Sequence, residues 1–169
     1  MATLTAITGE LDVRLRLAIE ATADFDNATQ DIIKSLARRL SVGTGADQAN
    51  AAWADSRTLS ASASETLDLQ SLTNGLGQTV TFTKIKWLLF VNTTTGSGAV
   101  VGGAASNVWA AHVGDDTDTI TVPAAGILLL ADNGSTGYAV DATNKNLKIL
   151  NSSGAASLTY DLFICGVGT

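Results

Sequence analysis

The chain holds one cysteine, Cys165, one histidine, His112, and one proline, Pro123. A lone cysteine cannot close a disulfide within the chain, so the fold must be held by its own core, and 169 residues are enough to bury one. Cys165 lies between Ile164 and Val167 and reads as a small buried hydrophobe rather than a reactive thiol. One histidine and one cysteine far apart in sequence do not make a zinc site. A hydrolytic triad would have to use His112, and there is no G-x-S-x-G elbow to serve it.

Charge is also scarce. Charged residues make up 15% of the chain, against roughly 25% in ordinary globular domains, so Ser, Thr, Asn, Gln and Gly must carry much of the surface. The net charge of −6 argues against nucleic-acid binding by phosphate neutralisation. Lys34, Arg38 and Arg39 form the densest basic group and read as one solvated face. No apolar run approaches the ~18 residues that a membrane-spanning helix needs, and the N-terminus lacks the basic-then-apolar pattern of a signal peptide. The N-x-Ser/Thr sequons at Asn27, Asn92, Asn133 and Asn151 read as by-products of a Ser/Thr/Asn-rich composition. Gly43-Thr44-Gly45 starts like a dinucleotide fingerprint, but Gln48 stands where the third glycine belongs, so no cofactor is expected. Two acidic clusters, Asp24/Asp26/Asn27 and Asp115/Asp116/Asp118, lack the EF-hand spacing and read as acidic turns, with an irregular calcium loop as the alternative. No catalytic or metal residue is assigned, and an enzyme is not expected.

The strongest positive signal is alternation. Leu11, Val13, Leu15, Leu17 and Ile19 interleave with Asp12, Arg14, Arg16, Ala18 and Glu20, the mark of a strand with one apolar face. Ile32, Ile33, Leu36 and Leu40 fall at helical spacing, Thr29 is a candidate N-cap and Gly43 a candidate stop. That spacing predicts a helix over Gln30 to Leu40, with a short strand as the alternative. The stretch from Gly43 to Ala52 is small and polar, like a connector.

Beyond it, short apolar segments alternate with turn signals such as Asn74-Gly75 and Asn133-Gly134. They predict nine strands near 56–61, 65–70, 79–93, 99–102, 119–122, 126–131, 137–140, 147–150 and 158–166, with a bulge at Thr83–Lys84. In the last of these, Phe163 and Cys165 face away from the main apolar side, toward a second apolar layer. The predicted class is mostly β: an antiparallel β-sandwich or jelly-roll-like domain over 51–169, an N-terminal arm and connector over 1–50, and at most one short helix.

The arm strand needs a cover for its apolar face. Leu11, Val13, Leu15, Leu17 and Ile19 are therefore interface candidates, contacting a particle or a neighbouring subunit, with folding back onto their own domain as the alternative. Trp87 reads as core. Trp53 and Trp109 either close the end of the sandwich or anchor an interface, and Asp55 and Arg57 form either a pair across that interface or an ordinary surface pair.

Several segments carry a resemblance: Gly43–Asn50, Trp53–Leu59, Glu65–Leu69, Val80–Lys86, Val101–Ala104, Gly114–Asp118, Gly126–Leu130, Gly137–Val140 and Leu158–Leu162. In order and spacing, over roughly Gly43 to Gly168, the chain resembles a family of small virion proteins of tailed bacteriophages. The resemblance implies a structural component of the particle, made in the host cytoplasm and carried on the virion surface. A capsid decoration protein is the first reading and a neck, tail or fibre component the second. It also implies a homo-oligomer, with a trimer favoured, that partners the major capsid protein or other virion proteins. A glycan- or receptor-binding β-sandwich is the alternative of a different class, with Trp53, Trp109 and Tyr138 as its candidate aromatics.

Overall fold

A computed structural model of the chain describes residues 8–22 and 27–169. In chain order the strands are β1 (Gly9–Thr22), β2 (Asn27–Val42), β3 (Gln48–Ala49), β4 (Ala51–Leu59), β5 (Ser64–Asp68), β6 (Leu72–Thr73), β7 (Thr79–Val80), β8 (Phe82–Asn92), β9 (Ala99–Gly102), β10 (Thr119–Val122), β11 (Ile127–Ala131), β12 (Tyr138–Ala139), β13 (Asn146–Asn151) and β14 (Leu158–Gly168). The fold is all β, and no helix forms among the described residues.

Two antiparallel sheets enclose the core. One has the order β10-β9-β13-β5; the other has β11-β8-β14-β4, with β12 alongside β8. β14 shows how sequence becomes packing. Leu158, Tyr160, Leu162 and Ile164 point inward and are essentially inaccessible, meeting Phe82, Ile85, Leu88 and Phe90 of β8 and Leu147 and Ile149 of β13 in one cluster. Each such burial contributes about 1.5–3 kcal/mol. The Tyr160 ring stacks on Phe90 at 4.8 Å, and its hydroxyl donates to Glu65 Oε1 at 2.6 Å, so the one polar atom brought inward is satisfied.

β8 and β14 slip register twice. Cys165 pairs with Trp87 but Gly166 with Ile85, and Val167 pairs with Lys84 but Gly168 with Phe82, so Lys86 and Thr83 drop out of the ladder. The second slip falls at the Thr83–Lys84 phase change of the sequence. The first requires Gly166: a Cβ there would stand 2.2 Å from the Lys84 carbonyl oxygen. Lys86 is fully buried, and its ammonium donates to the Gly134 carbonyl. Burial, reinforced by nearby Lys84, lowers its pKa against the opposing pull of Asp132 and Asp47.

Two buried asparagines tie loops together. Asn151 donates to the Leu59, Ser60 and Ala156 carbonyls and accepts from Ser97. Asn92 donates to the Ser97 and Pro123 carbonyls at 2.7 and 2.9 Å. These side chains stand in for backbone donors where strands end, which accounts for asparagine at two of the four sequons.

The helix over Gln30 to Leu40 does not form. That segment lies within β2, a sixteen-residue strand antiparallel to β1, so there is no helix for Thr29 to cap. Ile32, Leu36 and Leu40 are four residues apart, a spacing that fits one face of a helix and equally one face of a strand. The fourteen paired positions from Gly9↔Leu40 to Thr22↔Asn27 settle the ambiguity in favour of strand.

Candidate functional site

β1 and β2 form a long ribbon that, among the described residues, joins the rest of the fold at its root. Directly opposed residues in an antiparallel pair share a face. The register sets Val13 against Leu36, Leu15 against Lys34, Leu17 against Ile32 and Ile19 against Gln30. One ribbon face therefore gathers six large apolar side chains, and all of them are exposed: Leu15 by 67%, Leu17 by 51% and the others by at least 40%. Its charges among the described residues are Lys34 and Arg38, neither paired with a carboxylate. The other face carries Glu10, Asp12, Arg14, Arg16, Asp31 and Arg39, with ion pairs Arg16–Asp31 at 2.8 Å and Arg39–Glu10 at 3.0 Å. Pairs this exposed contribute about 0–1 kcal/mol each.

The root is fixed more firmly. Leu40 and Ala49 bury against Trp87, flanked by Leu11 and Cys165. Trp87 Nε1 donates to Asn133 Oδ1 at 2.9 Å, and Asn133 Nδ2 donates to Asp47 Oδ1 at 2.8 Å and to the Arg39 carbonyl at 3.3 Å. Of the five arm candidates, Leu11 packs at this root, while Val13, Leu15, Leu17 and Ile19 stay exposed and meet no cover among the described residues. Trp87 is buried, but in this second small cluster rather than between the sheets. Burial pushes the Cys165 thiol up to about 11, against a small opposing pull from the Gly166 backbone.

The outer face of the five-stranded sheet continues the apolar surface. Leu129, Leu89 and Phe163 stand in one row across β11, β8 and β14. The row nearer the ribbon is Ala131, Trp87 and Cys165, and the row beyond is Ile127, Val91 and Asp161. Phe163 is 49% exposed and Ile127 66%. A groove of about 600 Å³ runs between these rows and the ribbon root, lined by Gly9 and Leu11 on one side and Leu89, Leu129 and Phe163 on the other. Asp161 accepts from the Ser56 hydroxyl and has no cationic partner among the described residues.

The tryptophans lie elsewhere. Trp53 is buried with its Nε1 donating to the Thr73 carbonyl at 2.9 Å, and Arg57 lies over its ring at 5.6 Å. Arg57 bridges Asp55 at 3.0 Å and Glu65 at 2.5 Å within the chain. Burial pulls the Arg57 pKa down, but the Glu65 contact and the surrounding acids outweigh it and hold the guanidinium charged. Trp109 is wholly inaccessible, donates to the Ala139 carbonyl at 2.9 Å, and packs between His112 at 4.5 Å and the edge of Tyr138 at 6.3 Å. Both indoles are thus buried in the body of the sandwich, and Tyr138 is half-buried beside Trp109.

Burial lowers the His112 pKa despite a smaller opposing pull from the Trp109 backbone. Among the described residues its ring nitrogens make no hydrogen bond of ordinary geometry. Asp115 accepts from the Thr117 amide at 2.9 Å and hydroxyl at 2.8 Å, which holds its carboxyl below the usual range. Its loop is thus a self-satisfied turn. Asp24 and Asp26 lie outside the described residues. Among the described residues, no three His, Cys, Asp or Glu side chains converge as a metal site would require.

Sequence spacing does not reveal Ile32 and Leu36 as ribbon residues, because it fits a helix equally well, or Ile127, Leu89 and Leu129 as outward-facing, because both sides of their strands are apolar. The outward-facing Phe163 and Cys165 were the available signal for a second layer. Comparison with family models, with curated proteins and with solved structures finds no match for the chain.

Proposed function

We propose that this chain is a structural protein of a tailed-bacteriophage particle, of the capsid-surface decoration type, acting by association with copies of itself and with the shell beneath. The observation that carries this reading is the ribbon: six large apolar side chains held on one face, beyond the reach of their own core. A two-stranded ribbon is marginally stable alone in water, and a contiguous exposed apolar face marks a protein interaction site. A body sealed around its own aromatics, with an anchored projecting arm, suits a part that clips onto a larger assembly.

The segments that carry the virion resemblance are the second support for this reading, and they lie in the body of the fold and its joint. Trp53–Leu59, Glu65–Leu69, Val80–Lys86 and Leu158–Leu162 supply strands of the two sheets, and Gly43–Asn50 forms the joint between ribbon and body. The test is imaging of intact particles together with a Leu15→Asp/Leu17→Asp variant. Wild-type protein is expected as regular density on the outer head surface, and the variant is expected to fold but leave that density empty. Absence of the wild-type chain from purified particles would sink the proposal; density at the neck or tail would keep a virion protein but reject the decoration role.

A further inference from the structure

The arm and the sheet face are two unpartnered apolar surfaces on one molecule, and their charges are opposite. The ribbon's apolar face carries Lys34 among Leu15, Leu17, Ile32 and Leu36, with no carboxylate on that face among the described residues. The outer sheet face carries Asp161 beside Val91 and Phe163, with no cation to meet it. We infer that the apolar ribbon face of one copy docks on the outer face of the five-stranded sheet of a second copy, with Lys34 meeting Asp161 at the centre of the contact.

Geometry favours this pairing over the two alternatives on the same chain. Folding back would bring the ribbon over its own sheet, but the root is held by Leu40 and by the Asn133 and Asp47 hydrogen bonds, and Val13 to Ile19 remain exposed. Ribbon-on-ribbon stacking would bring two faces together whose charges among the described residues are all cationic, Lys34 and Arg38, with no carboxylate to meet them in an apolar contact. Arm on sheet instead joins a cationic apolar face to one with a carboxylate, and such complementarity also rejects wrong registers. The contact is heterologous, using different surfaces on the two copies, so it closes into a ring if the rotation permits and extends as a filament otherwise. It deepens the decoration reading by naming the surface through which copies meet.

The experiment uses full-length protein with three variants: Leu15→Asp in the ribbon, Phe163→Asp on the sheet, and Ile127→Asp as a second sheet variant should the first fail to fold. All three positions are exposed, and circular dichroism with thermal melting checks each fold. Analytical ultracentrifugation at micromolar concentration is expected to show oligomers for wild type and monomers for each variant alone. A ribbon variant mixed with a sheet variant is expected to give a one-to-one heterodimer, because one intact arm still finds one intact sheet. A monomeric wild type overturns the inference, as does a sheet variant that assembles normally, which would point to ribbon-on-ribbon contact. A monomeric wild type that still decorates particles leaves the proposed function standing. Oligomers absent from particles leave the inference standing and remove the function.

Discussion

β1 and β14 show the same pattern and meet opposite fates. Both set large apolar side chains at every second position, from Leu11 to Ile19 in β1 and from Leu158 to Ile164 in β14, and both pair antiparallel along their length. Leu158, Tyr160, Leu162 and Ile164 of β14 are at most 2% exposed, whereas Val13, Leu15, Leu17 and Ile19 of β1 are at least 40% exposed. Period two specifies a strand with one apolar face and leaves open what covers it. For β14 the cover is the second sheet of its own domain; β1 has only β2 beside it, and β2 adds to the apolar face instead of hiding it.

The largest effect that would sharpen this contrast comes from the core. Trp109→Ala removes a wholly inaccessible indole and is expected to cost about 3–5 kcal/mol in urea unfolding. Leu15→Ala, from the ribbon, should stay within about 0.5 kcal/mol under conditions that keep the chain monomeric. Equal losses at the two positions would break the comparison and show that the ribbon is covered in the free protein.

A smaller loss is expected from Asn151→Ala. It removes the donor to the Leu59, Ser60 and Ala156 carbonyls and the acceptor of the Ser97 hydroxyl and Ser153 amide, at about 1–3 kcal/mol by the cost of lost buried hydrogen bonds. Replacing the ribbon's ion-paired Arg16 by alanine should change unfolding by no more than about 1 kcal/mol, since its partner Asp31 is half exposed.

The smallest effect is in pH dependence. His112 is half-buried with its pKa below the ordinary 6.5, chiefly through burial. The unfolded chain therefore binds a proton at a pH where the folded chain does not. Its contribution to stability is complete above the unfolded value and is lost as pH falls from there through the lowered folded value. His112→Phe keeps the ring against Trp109 and is expected to flatten that part of the profile, read as the difference between variant and wild type in unfolding at pH 7.5, 6 and 5. Parallel profiles would show that His112 titrates normally. The ribbon has no histidine, so the same scan should leave its assembly unchanged over this range.

Much of the body was legible from residues alone. Nine predicted strands correspond to strands of the structure, because turn residues such as Asn74-Gly75 stand between one-sided apolar runs, and the shifted phase at Thr83–Lys84 coincides with a real slip in pairing. Less of the site could be read. One apolar ribbon strand was evident, but its partner strand and the sheet face were not. Local composition therefore decided that the chain is β-rich, where its turns fall and that β1 has an apolar side, since these follow from side-chain spacing and backbone preference over a few residues. Long-range pairing decided the rest. Ile32, Leu36 and Leu40 became strand because β1 lay in register beside them. Trp53 and Trp109 were buried because two sheets closed over loops that look exposed in sequence, and Lys86 went inside because a bulge turned it toward the Gly134 carbonyl. Each depends on a partner far along the chain, so no window of neighbouring residues contains it.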